Sequence, residues 1–142
     1  IVSDVLFSSK QIYIIRMRGD DNFIKERAIS LKYVFKGMWL LVSREHAAMA
    51  QVSIFALFIV LGIVFGISTV EWVAQTICCG MILTAEALNT AVEKICDYIQ
   101  PAYDKRIGFI KDVSAGAVGF AACTGVIVVI VIYYKYFARL FI

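Results

Sequence analysis

A chain of 142 residues has room for one domain, and 61% hydrophobic against 18% charged residues, with a mean hydropathy of +0.82, is more apolar surface than a domain of that size can bury alone. The composition excludes an ordinary water-soluble protein and points to an integral membrane protein solvated largely by lipid. A net charge of +3, with no basic tract, RNA-binding signature or zinc-finger spacing, gives no support for a nucleic-acid partner.

Residues 1–22 mix short apolar runs with scattered charge and lack a signal-peptide layout. Position 1 is not methionine, and Met17 opens MRGDDNFIKER. Residues 1–16 are therefore read as an upstream extension, and the folded unit is assigned to residues 25–142, with 1–24 outside it. Residues 25–44, KERAISLKYVFKGMWLLVSR, are long enough for a helix and too charged to span a bilayer. At 100° per residue Lys25, Lys32 and Lys36 fall within about 40° of one another, with Leu31, Val34, Phe35, Met38, Leu41 and Val42 opposite. That pattern predicts an amphipathic helix lying in the interface, its lysines toward anionic headgroups.

Three apolar stretches follow. Residues 49–67 carry no formal charge and suffice for a first span. Gly66, Ser68 and Thr69 predict a tight turn, after which residues 70–99 form a second span that continues as a helix past the bilayer until Pro101 stops it. Residues 113–134 form the third, and its first half, SAGAVGFAACTG, is dense in small residues that allow a neighbouring helix to approach closely. The fold class expected is thus an all-α membrane protein with one surface helix and three transmembrane helices.

Eight of the 14 Lys and Arg precede the first span, and four (Lys94, Lys105, Arg106, Lys111) lie between the second and third. The turn at residues 66–71 has none. The positive-inside rule puts the N-terminus and the 94–111 loop in the cytoplasm and the C-terminus outside, with Lys135 and Arg139 running against the trend. The cysteines, Cys78, Cys79, Cys96 and Cys123, form no C-x-x-C pair and are read as small buried residues. The single histidine, His46, cannot supply a zinc enzyme's ligand set and is read as interfacial.

The stretch EALNTAVEKICDYIQP, from Glu86 to Pro101, breaks the apolar pattern. Glu86, Asn89, Glu93 and Asp97 fall within about 80° on a helix and form one polar stripe at the edge of a span, where ionisable side chains are costly and usually functional. The predicted topology brings Glu45, Lys111 and Asp112 to the same cytoplasmic rim. Carboxylates there can hold Mg²⁺ against nucleotide phosphates, a lysine can neutralise developing charge, and a further carboxylate can accept a hydroxyl proton. Glu86, the deepest of the acids, is the best-placed base. Asp97, nearer water, is read as structural, a partner for Lys94 or for a neighbouring subunit. No G-x-x-x-x-G-K-[ST] loop and no protein-kinase signature is present. A small transporter or channel is the rival reading, but the acids gather at one rim instead of crossing the bilayer; a purely structural membrane subunit is the other.

The segments YVFKG from Tyr33, REHAAMAQ around Glu45, EALNTAVEKICD from Glu86 and KD followed by AGAV from Lys111 resemble the small bacterial integral-membrane lipid kinases that include diacylglycerol kinase and undecaprenol kinase. The resemblance covers roughly residues 27–134. It implies a homotrimer in the bacterial cytoplasmic membrane that uses ATP and Mg²⁺ to phosphorylate the hydroxyl of a membrane lipid. It further implies Glu86 as general base, Glu45 and Glu93 as metal ligands, Asn89 as an orienting group, and Lys111 and Asp112 on the phosphates and nucleotide. Tyr33 and Ala102, Tyr103 and Asp104 would border the nucleotide; Ala47, Ala48, Met49, Ala50, Gln51 and Ala115 would meet the lipid. Glu26 and Asp104 depart from the family pattern, which more often has a basic residue before the tyrosine and a His or Glu at the second position.

Overall fold

The computed structural model describes residues 23–139, so the reading of residues 1–16 as an extension falls outside the described residues. Within that range the chain forms four α-helices and no strand: α1 (Phe23–Arg44), α2 (His46–Phe65), α3 (Thr69–Ile99) and α4 (Lys105–Ala138). It divides into two compact units, residues 1–38 and 39–142. The described part of the first unit is the N-terminal portion of α1, along which Leu31, Val34 and Phe35 as well as Lys32 and Lys36 are exposed.

In the second unit, the helix boundaries from α2 to the start of α4 have local chemical causes. Glu45 adopts an extended backbone (φ −105°, ψ 116°) that separates α1 from α2. Gly66 ends α2 in the left-handed conformation (φ 61°), and the Gly66 and Ile67 N–H groups donate to the Ile63 and Gly62 carbonyls at 3.2 and 3.1 Å. The helix therefore stops at Phe65, two residues before the expected end of the apolar stretch. Ser68 then caps α3 in a reciprocal box: its hydroxyl accepts from the Glu71 N–H at 3.4 Å, and its own N–H donates to Glu71 Oε2 at 2.7 Å. At the far end of α3 the Gln100 N–H reaches the Cys96 carbonyl at 2.9 Å, and Pro101 disfavours further helix. Asp104 accepts from the Arg106 N–H at 2.7 Å and starts α4 eight residues ahead of the apolar run expected from residue 113. Lys111 and Asp112 consequently lie within a helix.

The long helices α3 and α4 pack together over more of their length than α2 and α3 do. Small residues set the closest approaches. A Cβ on Gly125 would lie 2.8 Å from Ile82 Cδ1, whereas Gly116 and Gly119, in the same small-residue stretch, face open space. A Cβ on Gly62 would come within 2.7 Å of Trp72 Cη2 and 3.1 Å of Ile67 Cδ1. Gly62→Ala gains ~1 kcal/mol of helix propensity but must displace the indole, and overpacking typically costs ~1–3 kcal/mol. A net loss of stability is therefore expected, read as a lower unfolding midpoint in detergent, while Gly116→Ala leaves the midpoint unchanged or raised.

The buried core is small and lies at the turn between α2 and α3. Ile67, Ile132 and Tyr133 are buried and packed by Phe58, Leu61, Phe65 and Trp72 among others. Phe65 contacts the Tyr133, Tyr136 and Phe137 rings at centroid separations of 6.0, 5.7 and 5.2 Å. Gln75, only 2% exposed, donates to the Phe58 carbonyl at 3.2 Å and accepts from the Tyr133 hydroxyl at 2.8 Å, which ties the three helices together. Lys135, against the trend of charge along the chain, pairs with Glu71 at 2.6 Å, and the Tyr136 hydroxyl donates to the same carboxylate at 2.9 Å. The dissenting cation is thus half of an ion pair.

Beyond this core, large apolar side chains such as Ile63, Val64, Phe120 and Val131 remain exposed. Among the described residues α2 and α4 are the two helices long and apolar enough to cross a membrane. Lipid is the medium that such surfaces require. Of the cysteines, none of which is in a disulfide, Cys96 is buried, Cys78 and Cys79 are half-buried and Cys123 is exposed. The expectation of four buried thiols therefore holds at Cys96 alone and fails outright at Cys123, on an exposed part of α4.

Candidate active site

Helix α3 supplies the site. Its polar stripe grades from inside to outside: Glu86 and Asn89 are buried (6% and 8% exposed), Glu93 is half-buried and Asp97 is exposed. The gradient follows from packing. Where α2 meets α3, Gln51 reaches Glu86, and Ala48, one turn earlier on α2, is fully buried.

Two contacts fix α2 against α3. Gln51 Nε2 donates to Glu86 Oε2 at 3.0 Å, and Lys94 Nζ pairs with Glu45 Oε1 at 3.2 Å. Glu45 stands at the N-cap position of α2 yet makes no capping hydrogen bond, so its carboxylate is available to Lys94 and sits at the positive end of the helix dipole. One turn apart on α3, Asn89 Nδ2 donates to Glu93 Oε1 at 3.1 Å. The buried acceptors Asn89 Oδ1 and Gln51 Oε1 find no hydrogen-bond donor among the described residues. Buried acceptors of this kind call for a donor or a cation from a ligand.

On the α4 side, Lys111 Nζ meets Asp97 Oδ1 at 2.5 Å. Asp97 therefore pairs with Lys111 and not with Lys94, because Lys94 reaches across to the start of α2 while the second turn of α4 delivers Lys111 to the last turns of α3. Asp112, next in the chain, is exposed. In the α3–α4 connection Ala102 and Tyr103 are exposed, while Asp104 is engaged as the helix cap and pairs with Arg106 at 3.2 Å. The Arg106 guanidinium and backbone N–H hold the Asp104 carboxyl below the usual carboxylate range.

The structure thus brings Glu86 to Gln51, Asn89 to Glu93 and Lys111 to Asp97. Ala47, Met49 and Ala50 are exposed around the buried Ala48, and Ala115 is exposed on α4. Tyr33 belongs to the first unit and is exposed there. No group of three or more His, Cys, Asp or Glu side chains able to hold a metal ion occurs among the described residues. Glu45 is paired with Lys94 and Glu93 accepts from Asn89, so either carboxylate would exchange a protein partner to hold a cation. Glu45 and Glu93 are hard oxygen donors, the unpartnered Asn89 oxygen is a third, and Mg²⁺ is usually held by one or two carboxylates with phosphate and water completing the shell.

Lys94 is a functional candidate that spacing did not single out. Its signal was available, as the one lysine of α3 directly following Glu93.

A family model described as prokaryotic diacylglycerol kinase matches residues 32–133. A comparison with curated proteins returned no match.

Proposed function

The chain belongs to the prokaryotic diacylglycerol kinase family, which makes it a membrane-embedded lipid kinase, and from that premise we propose the reaction and the residues that carry it. The reaction is transfer of the ATP γ-phosphate to the hydroxyl of diacylglycerol or undecaprenol, at the cytoplasmic face of a bacterial inner membrane. The observation that carries this reading is a carboxylate, Glu86, buried in the wall between α2 and α3 and oriented by Gln51 at 3.0 Å. A buried carboxylate in apolar surroundings is expensive unless it serves the chemistry.

In this mechanism Glu86 accepts the proton of the lipid hydroxyl as its oxygen attacks the γ-phosphorus, and the ADP oxygen departs on the opposite side. Gln51 holds the carboxylate in position by donating to Oε2, which leaves Oε1 to face the hydroxyl. Asn89 anchors Glu93 and presents its own oxygen. Glu45 and Glu93 would hold Mg²⁺, which when bound neutralises phosphate charge and aligns the transferred group. Lys111 addresses the phosphates, with Asp112, Ala102, Tyr103 and Asp104 along the nucleotide. The lipid enters laterally past Ala47, Ala48, Met49, Ala50 and Gln51, with Ala115 nearby, so no deep soluble pocket is required.

The proposal includes α3 as a third membrane span, α1 as the surface helix and a homotrimer as the assembly. The exposed apolar sides of α2 and α4 support further helix packing between copies.

Purified protein in mixed micelles with ATP, Mg²⁺ and either diacylglycerol or undecaprenol should form the lipid phosphate, and competition between the two lipids should identify the preferred one. Failure to phosphorylate either lipid would overturn the reading. Glu93→Ala should weaken Mg²⁺-dependent nucleotide binding by at least the ~10–100-fold typical of lost metal-site partners; unchanged nucleotide affinity would remove Glu93 from the metal.

A further inference from the structure

Two of the ion pairs between helices differ in how firmly they are built. At the turn between α2 and α3, the Glu71 carboxylate is 14% exposed and takes Lys135 at 2.6 Å together with the Ser68 hydroxyl and N–H, each at 2.7 Å, and the Tyr136 hydroxyl at 2.9 Å. That pair is a fixed clamp. Lys94 and Glu45 meet at 3.2 Å, with the lysine side chain 67% and the carboxylate 30% exposed. Glu45 makes no capping hydrogen bond, and the positive end of the α2 dipole opposes any cation placed beside it. A pair this exposed is held weakly, so the ammonium is free to leave.

We propose that Lys94 is a built-in substitute for the divalent ion: its ammonium holds the Glu45 carboxylate and gives it up to the ion when a nucleotide's phosphates offer another anion. The inference rests on the reading of Glu45 and Glu93 as the metal pair, and adds a positioning residue that the mechanism above does not use. Lys94 directly follows Glu93, about 100° round the helix, so it stands on the same turn as the second metal candidate. Asn89, whose buried oxygen finds no donor among the described residues, lies one turn before. Once off Glu45, Lys94 meets acids on α3 that are already engaged. Glu93 accepts from Asn89 at 3.1 Å, and Asp97, one turn further on, pairs with Lys111 at 2.5 Å. An incoming triphosphate supplies the missing anion, and its negative charge offsets the ammonium that the ion displaces. The exchange makes the ion bind together with the nucleotide and not ahead of it.

Mn²⁺ serves as the probe, on the full chain in micelles of a neutral detergent and without lipid. Electron paramagnetic resonance gives the affinity for Mn²⁺ alone, and equilibrium dialysis gives the affinity for Mn²⁺ complexed with the non-hydrolysable nucleotide AMP-PCP. Lys94→Gln should tighten Mn²⁺ alone about three- to fivefold, the upper range for a partly exposed ion pair, and should leave binding of the complex unchanged or weaker. The ratio of the two affinities then shifts by at least that factor. Loss of a merely structural tie between α2 and α3 would loosen both, and a general repulsion of cations by Lys94 would tighten both. Either result, with the ratio unmoved, overturns the proposal.

A second arm tests whether Lys94 acts through its partner. In a Glu45→Gln background, Lys94→Gln should move neither affinity, and a tightening of Mn²⁺ that persists there overturns the proposal as well. The two readings fail separately. Lipid phosphorylation by the wild type with an unmoved ratio removes the role of Lys94 and leaves the kinase standing, whereas a shifted ratio in a protein that phosphorylates neither lipid counts against the kinase and leaves the role of Lys94 standing.

Discussion

Glu86→Gln is expected to lower lipid phosphorylation by ~10³-fold, within the range that general-base catalysis supplies, while leaving helix content and oligomeric state unchanged. The substitution keeps the size of the side chain and its oxygen, so Gln51 Nε2 can still donate to position 86 as it does at 3.0 Å in the wild type. What is lost is the lone pair that takes the hydroxyl proton. Because Glu86 is only 6% exposed, bulk water cannot readily take over the role. The amide also removes a buried charge whose desolvation opposes folding, so stability should hold or rise. Circular dichroism and cross-linking check the fold, and initial rates with ATP, Mg²⁺ and lipid check the chemistry. Turnover within tenfold of wild type would sink the assignment of Glu86 as the base.

Lys111→Met is expected to reduce kcat/KM for ATP by ~10²–10³-fold, the usual loss when a fixed charge at a developing anion is removed. Stability should barely change, since a partly exposed ion pair contributes ~0–1 kcal/mol, and Lys111 and its partner Asp97 are 34% and 63% exposed at the side chain. The contrast in size between the two effects is what identifies a functional ion pair. Asp97→Asn tests the other half. It removes the negative charge that holds Lys111 at 2.5 Å but leaves an amide oxygen and the ammonium charge, so its loss should be roughly tenfold and should fall mainly on KM. Nucleotide kinetics for the three variants, with unfolding midpoints alongside, decide the matter. If Lys111→Met lowers the midpoint as far as it lowers the rate, the lysine is a structural residue and its phosphate role is wrong.

Much of the fold could be read from local patterns, because helix starts and stops depend on neighbours in the chain. Gly66, the Ser68–Glu71 pair, Pro101 and Asp104 each act within four residues of themselves, and α2 ends, α3 begins and ends and α4 begins beside them. Spacing likewise placed Glu86, Asn89, Glu93 and Asp97 on one stripe, since a helix repeats every 3.6 residues whatever surrounds it. The gradient of burial along that stripe, from Glu86 to Asp97, is a property of the packed helices and not of the spacing.

Pairings were a different matter. Asp97 could have met Lys94, one turn away on its own helix, yet Lys111 takes it from α4 and Lys94 reaches Glu45. Cys123 looked no different from Cys96 by composition, and only the placement of α4 leaves it exposed. Lys135 stood out as a misplaced charge until Glu71 was found beside it.

By itself the order of residues determined that the chain needs lipid as solvent, where its helices break, and which side chains share a helical face, since each of these depends on composition or on contacts a few positions apart. Only the tertiary structure decided that Gln51 orients Glu86, that Lys111 is held by Asp97, and that Tyr133 meets Gln75. Those features join residues 14 to 58 positions apart, and such contacts are set by how helices cross, which no local pattern records.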